Sequence, residues 1–191
     1  MNERHLQALA TDEWRHTLET LAFPFAFGPA GPAALGAEAL EVGPGPGMTT
    51  DLLRAVVPQL TSIELDTDLA TALRDRLAGT NVTVVEGDAT AMPFEDARFS
   101  GAAMFTMLHH VPTVELQDRM FAEVARVLRP GALLVANDGV ARPDLEALHE
   151  DDVYNPVDPA TVEDRLITAG FTSVEVTANA YAWAVQARRA G

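Results

Sequence analysis

ALEVGPGPGMTTDLLRAVV, residues 39–57, is the stretch that decides the fold. It opens on a short apolar run, residues 39–42, which reads as a strand ending at glycines. Residues 49–57 read as a helix, entered through Thr49, Thr50 and Asp51 as capping residues. Between them lie Gly43, Pro44, Gly45 and Gly47. Glycines after a strand and before a helix let a ligand approach backbone amides that side chains would otherwise cover. The dinucleotide fingerprint needs a third glycine where this chain has Met48, and Gly47 comes one residue early, so the loop departs from the nicotinamide pattern.

The same rhythm continues outward. Residues 61–65 read as a second strand, followed by a helix in which Leu69, Leu73 and Leu77 recur every four residues until Gly79 stops it. Strands follow at 82–86, 101–105 and 132–136, with a helix over 114–128. Strands alternating with helices require crossovers, and crossovers produce a parallel sheet covered on both faces, an α/β fold. A last helix is expected over 160–169. Residues 174–179 and 181–189 alternate and lie close together, as an antiparallel hairpin does. Upstream, Leu6, Leu9, Trp14, Leu18 and Leu21 approximate one apolar face of a helix, and FPFAFGPAGPAALG, residues 23–36, reads as a loop.

The 191 residues, 48% of them apolar with a mean hydropathy of +0.05, suit one globular domain over 1–191. Its parts are an N-terminal helix and lid-like segment (1–37), a ligand-binding core (38–137) and a loop, helix and hairpin on the acceptor side (138–191). There is no cysteine, which rules out disulfides and cysteine-bound zinc and fits a reducing compartment. The first sixteen residues carry charge throughout, so a cytoplasmic protein with no membrane segment is expected. A net charge of −15, with 13 scattered Lys and Arg, disfavours a nucleic-acid partner.

Over residues 39–136 the chain resembles the class I S-adenosylmethionine-dependent methyltransferases, because several motifs follow in that family's order. Glu41 with Gly43, Gly45 and Gly47 resembles the first motif, whose loop lies under the methionine part of the cofactor. Glu64, at the end of the second strand in SIELD, matches the acidic residue that accepts from the ribose hydroxyls, with Asp66 competing for the role. Asp88 in EGDATAMPF matches the residue that receives the adenine amino group. Met92-Pro93-Phe94, LHH and RVLRPG follow in the order of the small-molecule and quinone-biosynthesis branch. The resemblance implies a Rossmann-like, doubly wound sheet of seven mostly parallel strands with helices on both faces. It also implies S-adenosylmethionine as cofactor, S-adenosylhomocysteine as product and a cofactor set of Glu41, Gly43, Pro44, Gly45, Gly47, Glu64, Leu65, Asp88, Ala89 and Phe105. Ser100, where the family has Asp, and Ala132, in place of the second glycine of RPGG, depart from the pattern, and Ser100 weakens an expected polar contact.

His109 and His110 fall where such a site opens, and neutral imidazole can take a proton from a hydroxyl acceptor; at least one of the two is expected to be structural, hydrogen-bonding across the loop. Phe23, Phe25 and Phe27 read as an aromatic wall over the site or as core, and Trp14 and Trp183 as packing. His149, Glu150, Asp151 and Asp152 read as a solvated acidic loop, so no metal site is expected. The acceptor is expected to be a small molecule, and the chain a monomer or homodimer. Aminopropyl transfer is disfavoured by Thr106, Met107 and Leu108, where a polyamine would need acids. A non-catalytic cofactor-binding or scaffold protein of the same fold is the alternative from another class.

Overall fold

The computed structural model describes residues 6, 7, 9 and 11–191; the charged stretch 1–5 and part of the expected N-terminal helix lie outside the described residues. Seven strands, β1 (Glu38–Val42), β2 (Gln59–Glu64), β3 (Val82–Glu86), β4 (Phe99–Phe105), β5 (Leu128–Gly139), β6 (Phe171–Ala178) and β7 (Ala182–Arg189), form one sheet in the order β3-β2-β1-β4-β5-β7-β6. The first five pair in parallel. β7 runs antiparallel to both β5 and β6. This is the expected α/β sheet with its C-terminal hairpin.

The helices are α1 (Asp12–Thr17), α2 (Phe23–Phe27), α3 (Met48–Arg54), α4 (Thr67–Arg76), α5 (Val114–Val127), α6 (Pro143–Leu148) and α7 (Pro159–Ala169). Successive side chains of a strand point to opposite faces, and here both faces are buried. Leu40, Ala102, Met104, Leu134 and Ala136 pack with Phe121 and Val124 of α5 and Leu166 of α7. Their neighbours Ala39, Ala103, Phe105, Leu133 and Val135 pack with Phe23 and Phe27 of α2 and Leu53 of α3. No helix among the described residues is long and apolar enough to cross a membrane.

Several local expectations change. Residues 23–27 are helical rather than loop: Pro24 sits in the first turn of α2, where a missing N–H costs little, and the π-helical turn Leu18–Ala22 leads into it. Phe23 and Phe27, four residues apart, stack edge-on at 5.3 Å. Helix α3 starts one residue early from a left-handed Gly47 with no side-chain cap, and the Thr49 and Thr50 hydroxyls donate to Glu41 instead. The buried carboxylate has the stronger demand for donors. Ser100 does not leave a polar gap: its hydroxyl donates to the Leu35 carbonyl at 2.8 Å and accepts from the Glu38 amide at 2.9 Å. The loosely patterned stretch after Asp138 contains a helix, α6.

Candidate functional site

Neighbours β1 and β4 send their chains to opposite sides, towards β2 and β5, so a crevice opens beyond their carboxyl ends. A cavity of about 470 Å³ occupies it. The glycine loop forms one wall. Gly43 donates to the Ile63 carbonyl at 2.9 Å and holds φ at +65°, and a Cβ there would stand 2.9 Å from the Met107 Cβ. Pro44, Gly45 and Pro46 complete that wall, whereas Gly47, expected in the cofactor set, stands outside the lining and closes the turn by donating its amide to the Pro44 carbonyl at 3.0 Å.

Glu64, buried at the end of β2, faces the cavity. Its Oε2 accepts from the Gly45 amide at 2.9 Å and its Oε1 from the Asp66 amide at 3.0 Å. Each oxygen of an ionised carboxylate has a second lone pair, so Glu64 can still receive two donors from a ligand. Asp66, weighed for the same role, directs its Oδ1 to the amides of Asp68 and Leu69 and caps α4. Leu65 stands 70% exposed at the rim. Opposite, Asp88 lines the cavity with Ala89, and its Oδ1 accepts from the Thr90 amide at 2.8 Å. Phe105 lines the cavity and leans back on Phe23 and Phe27, with centroids 4.8 and 5.6 Å away. Phe23, Phe25 and Phe27 do not line the cavity and belong to the core beneath it.

Glu41 departs from the direct cofactor contact expected of it. It lies behind the loop, 2% exposed and outside the cavity lining. Three hydroxyls donate to it, Thr49 at 2.6 Å and Thr50 and Ser62 at 2.7 Å each. Burial pushes its carboxyl above the ordinary 4.5, against the lowering effect of those hydroxyls. Its part is to fasten β1, β2 and α3 beneath the loop.

The two histidines separate. His110 lines the cavity and His109 does not. The His109 Nδ1 meets Oδ1 of buried Asp138 at 2.6 Å, and the His109 amide donates to Oδ2 at 3.1 Å. The LHH turn is anchored further by Gln117, whose amide donates to the carbonyls of Leu108 and Asn155. Asn155 donates in turn to the carbonyls of His109 and Val111. Val111, Leu116 and Met120 give this end of the cavity an apolar wall, and Trp14 of α1 lines the cavity as well. Trp14 is therefore a lining residue rather than packing alone, whereas Trp183 is fully buried in the core.

His149 also departs from the expected solvated loop. It is 4% exposed, and its ring lies 4.8 Å from that of His109 and 5.1 Å from that of His110. Helix α6 and the following turn carry it there, a placement with no local signal in the sequence.

Residues 40–136 match the family model described as a methyltransferase domain. The chain is 31% identical over 156 residues to an O-methyltransferase of Penicillium expansum, covering 75% of this chain and 55% of that one. It is 41% identical over 61 residues to a probable ribosomal RNA small subunit methyltransferase A of Haloarcula marismortui, covering 30% of this chain and 21% of that one. It thus spans about half or less of these relatives. A crystal structure of an S-adenosylmethionine-dependent methyltransferase from Aquifex aeolicus superposes with a TM-score of 0.71 at 18% identity, covering 98% of both chains. At that identity the likeness is one of fold.

Proposed function

Since the chain belongs to the methyltransferase-domain family, matched over residues 40–136, we propose that it methylates a small acceptor with an apolar body, using S-adenosylmethionine. The observation that carries this reading is the single cavity that joins the glycine loop, Glu64 and Asp88 at one end to the apolar wall of Val111, Leu116 and Met120 at the other.

The residues present suit the cofactor. The Gly43 turn is a place that a Cβ would fill. Glu64 and Asp88 bring two acceptor-only groups to the wall, and these receive hydroxyl and amine donors. When bound, the cofactor supplies a methyl already activated by its sulfonium, leaving S-adenosylhomocysteine. The chain must then orient the acceptor and exclude water. Leu116 and Met120 shield the acceptor end, and the loops fixed by Gln117 and Asn155 hold His110 at its edge. His110, the histidine that faces the cavity, is the side chain suited to orient an acceptor's polar atom. The charge of −15 works against a phosphate-backbone acceptor.

Calorimetric titration with S-adenosylmethionine and S-adenosylhomocysteine, with Gly45→Arg and Glu64→Ala as controls, tests the reading. Binding by the wild type and its loss in both variants is expected. A folded wild type that binds neither compound overturns it.

A further inference from the structure

The histidine cluster at the acceptor end has a chemistry that methyl transfer alone does not require. Nitrogen ligand atoms of His109, His110 and His149 all lie within 4.8 Å of one another. Nitrogens sharing a tetrahedral zinc at the usual bond length stand about 3.3 Å apart, so small χ rotations bring the three rings to one point.

The three rings pack against one another, and His149 stacks on Tyr154 at 4.6 Å; the partners at Nδ1 of two of them are those that orient ligands. His109 Nδ1 is held by the Asp138 carboxylate at 2.6 Å and His149 Nδ1 by the Leu145 carbonyl at 2.6 Å. A carboxylate or carbonyl at Nδ1 fixes the neutral ring with its lone pair on Nε2, the arrangement that orients metal-bound histidines. Asp138 is itself held, accepting from the Gly139 amide at 2.7 Å. An entry path is present as well. His110 lines the main cavity, His149 lines a second pocket with Glu146, Glu150 and Tyr154, and Asp152 lines both. The cluster forms the partition between them, with acidic side chains on the outer side.

We propose that His109, His110 and His149 form a three-imidazole centre for a divalent transition metal, zinc foremost, whose fourth position opens into the acceptor end of the cavity. Imidazole nitrogen selects such ions over magnesium or calcium, which favour oxygen. Three protein ligands with one open position is the catalytic rather than the structural pattern. A hydroxyl oxygen placed there becomes more acidic, as zinc-held water does, and its proton leaves to solvent. The acceptor class is then one presenting a hydroxyl or similar oxygen beside an apolar body. This last step rests on the methyl transfer proposed above; the metal centre does not.

The test uses chelator-treated full-length chain titrated with Co²⁺ alone and followed by visible absorption. One ion per chain with the intense d–d band of four-coordinate cobalt is expected, and acetohydroxamate, an oxygen ligand, should shift that band. His149→Ala should abolish the band. Asp138→Asn, acting through His109, should weaken uptake about 10–100-fold. S-adenosylmethionine affinity close to that of the wild type certifies the fold of each variant, and His149→Gln replaces His149→Ala if the latter does not fold. Absence of stoichiometric uptake, a weak octahedral spectrum, or an unchanged band in the His149 variant overturns the centre. A wild type that takes up cobalt as described but binds no S-adenosylmethionine supports the centre and removes the methyl-transfer reading instead.

Discussion

The Gly45 amide donates to Oε2 of Glu64 at 2.9 Å, so the loop after β1 and the carboxylate ending β2 are one unit. Glu64 therefore holds the loop as well as facing the ligand. Glu64→Gln keeps an acceptor and the size of the side chain but loses the charge. Hydrogen bonds to a charged group contribute about 1.5–3 kcal/mol, which corresponds to a rise of roughly tenfold or more in the Kd for S-adenosylmethionine. Calorimetry measures it, and an unchanged Kd would remove Glu64 from the cofactor site.

At Gly43 backbone and space both forbid a side chain. With φ at +65° and a new Cβ 2.9 Å from the Met107 Cβ, Gly43→Ala should cost about 1–3 kcal/mol and abolish measurable cofactor binding. Denaturant unfolding and calorimetry read the two effects. Gly79, also at positive φ but with open space around it, supplies the control: Gly79→Ala should leave binding intact.

His109 and His110 should respond differently to truncation. His110→Ala should lower turnover strongly with cofactor affinity nearly intact, because its ring lines the cavity away from Glu64 and Asp88. His109→Ala removes the partner of an Asp138 that is 1% exposed, at a cost of about 1.5–3 kcal/mol. Thermal unfolding of both variants, with turnover of His110→Ala, distinguishes the roles. Equal losses of stability in the two variants would contradict them.

Glu41 carries a pH signature. Burial raises its folded pKa above 4.5, so the folded chain holds this proton more tightly than the unfolded chain. Its contribution to stability is fully present below about pH 4.5 and is lost as pH rises through the folded value. Glu41→Gln cannot ionise, so the stability difference should move in favour of the variant as pH rises from about 4.5 to 8. Denaturant unfolding across that range reads the difference, and a flat line would refute the assignment.

What the sequence made legible was local. The glycine loop, the short apolar strands and the closing hairpin each arise from residues adjacent in the chain, and each appears close to where its pattern places it. The misreadings arose where a distant partner decided the outcome. Thr49 and Thr50 resemble caps, yet a carboxylate eight and nine residues earlier takes their hydroxyls. Ser100 resembles a defect until Leu35 and Glu38, more than sixty residues away, supply its partners. His149 meets His109 only because helix α6, in a stretch with no periodicity of its own, brings it back to a residue forty positions earlier.

The order of the sheet also governs how the chain can be made. β7 lies between β5 and β6, so β6 leaves the ribosome with no strand beside which it can dock. It must wait, its edge exposed, until β7 has emerged and paired with β5. The last two strands are therefore seated in the reverse of their order of synthesis, and the interval between them is when the growing chain is most open to mispairing.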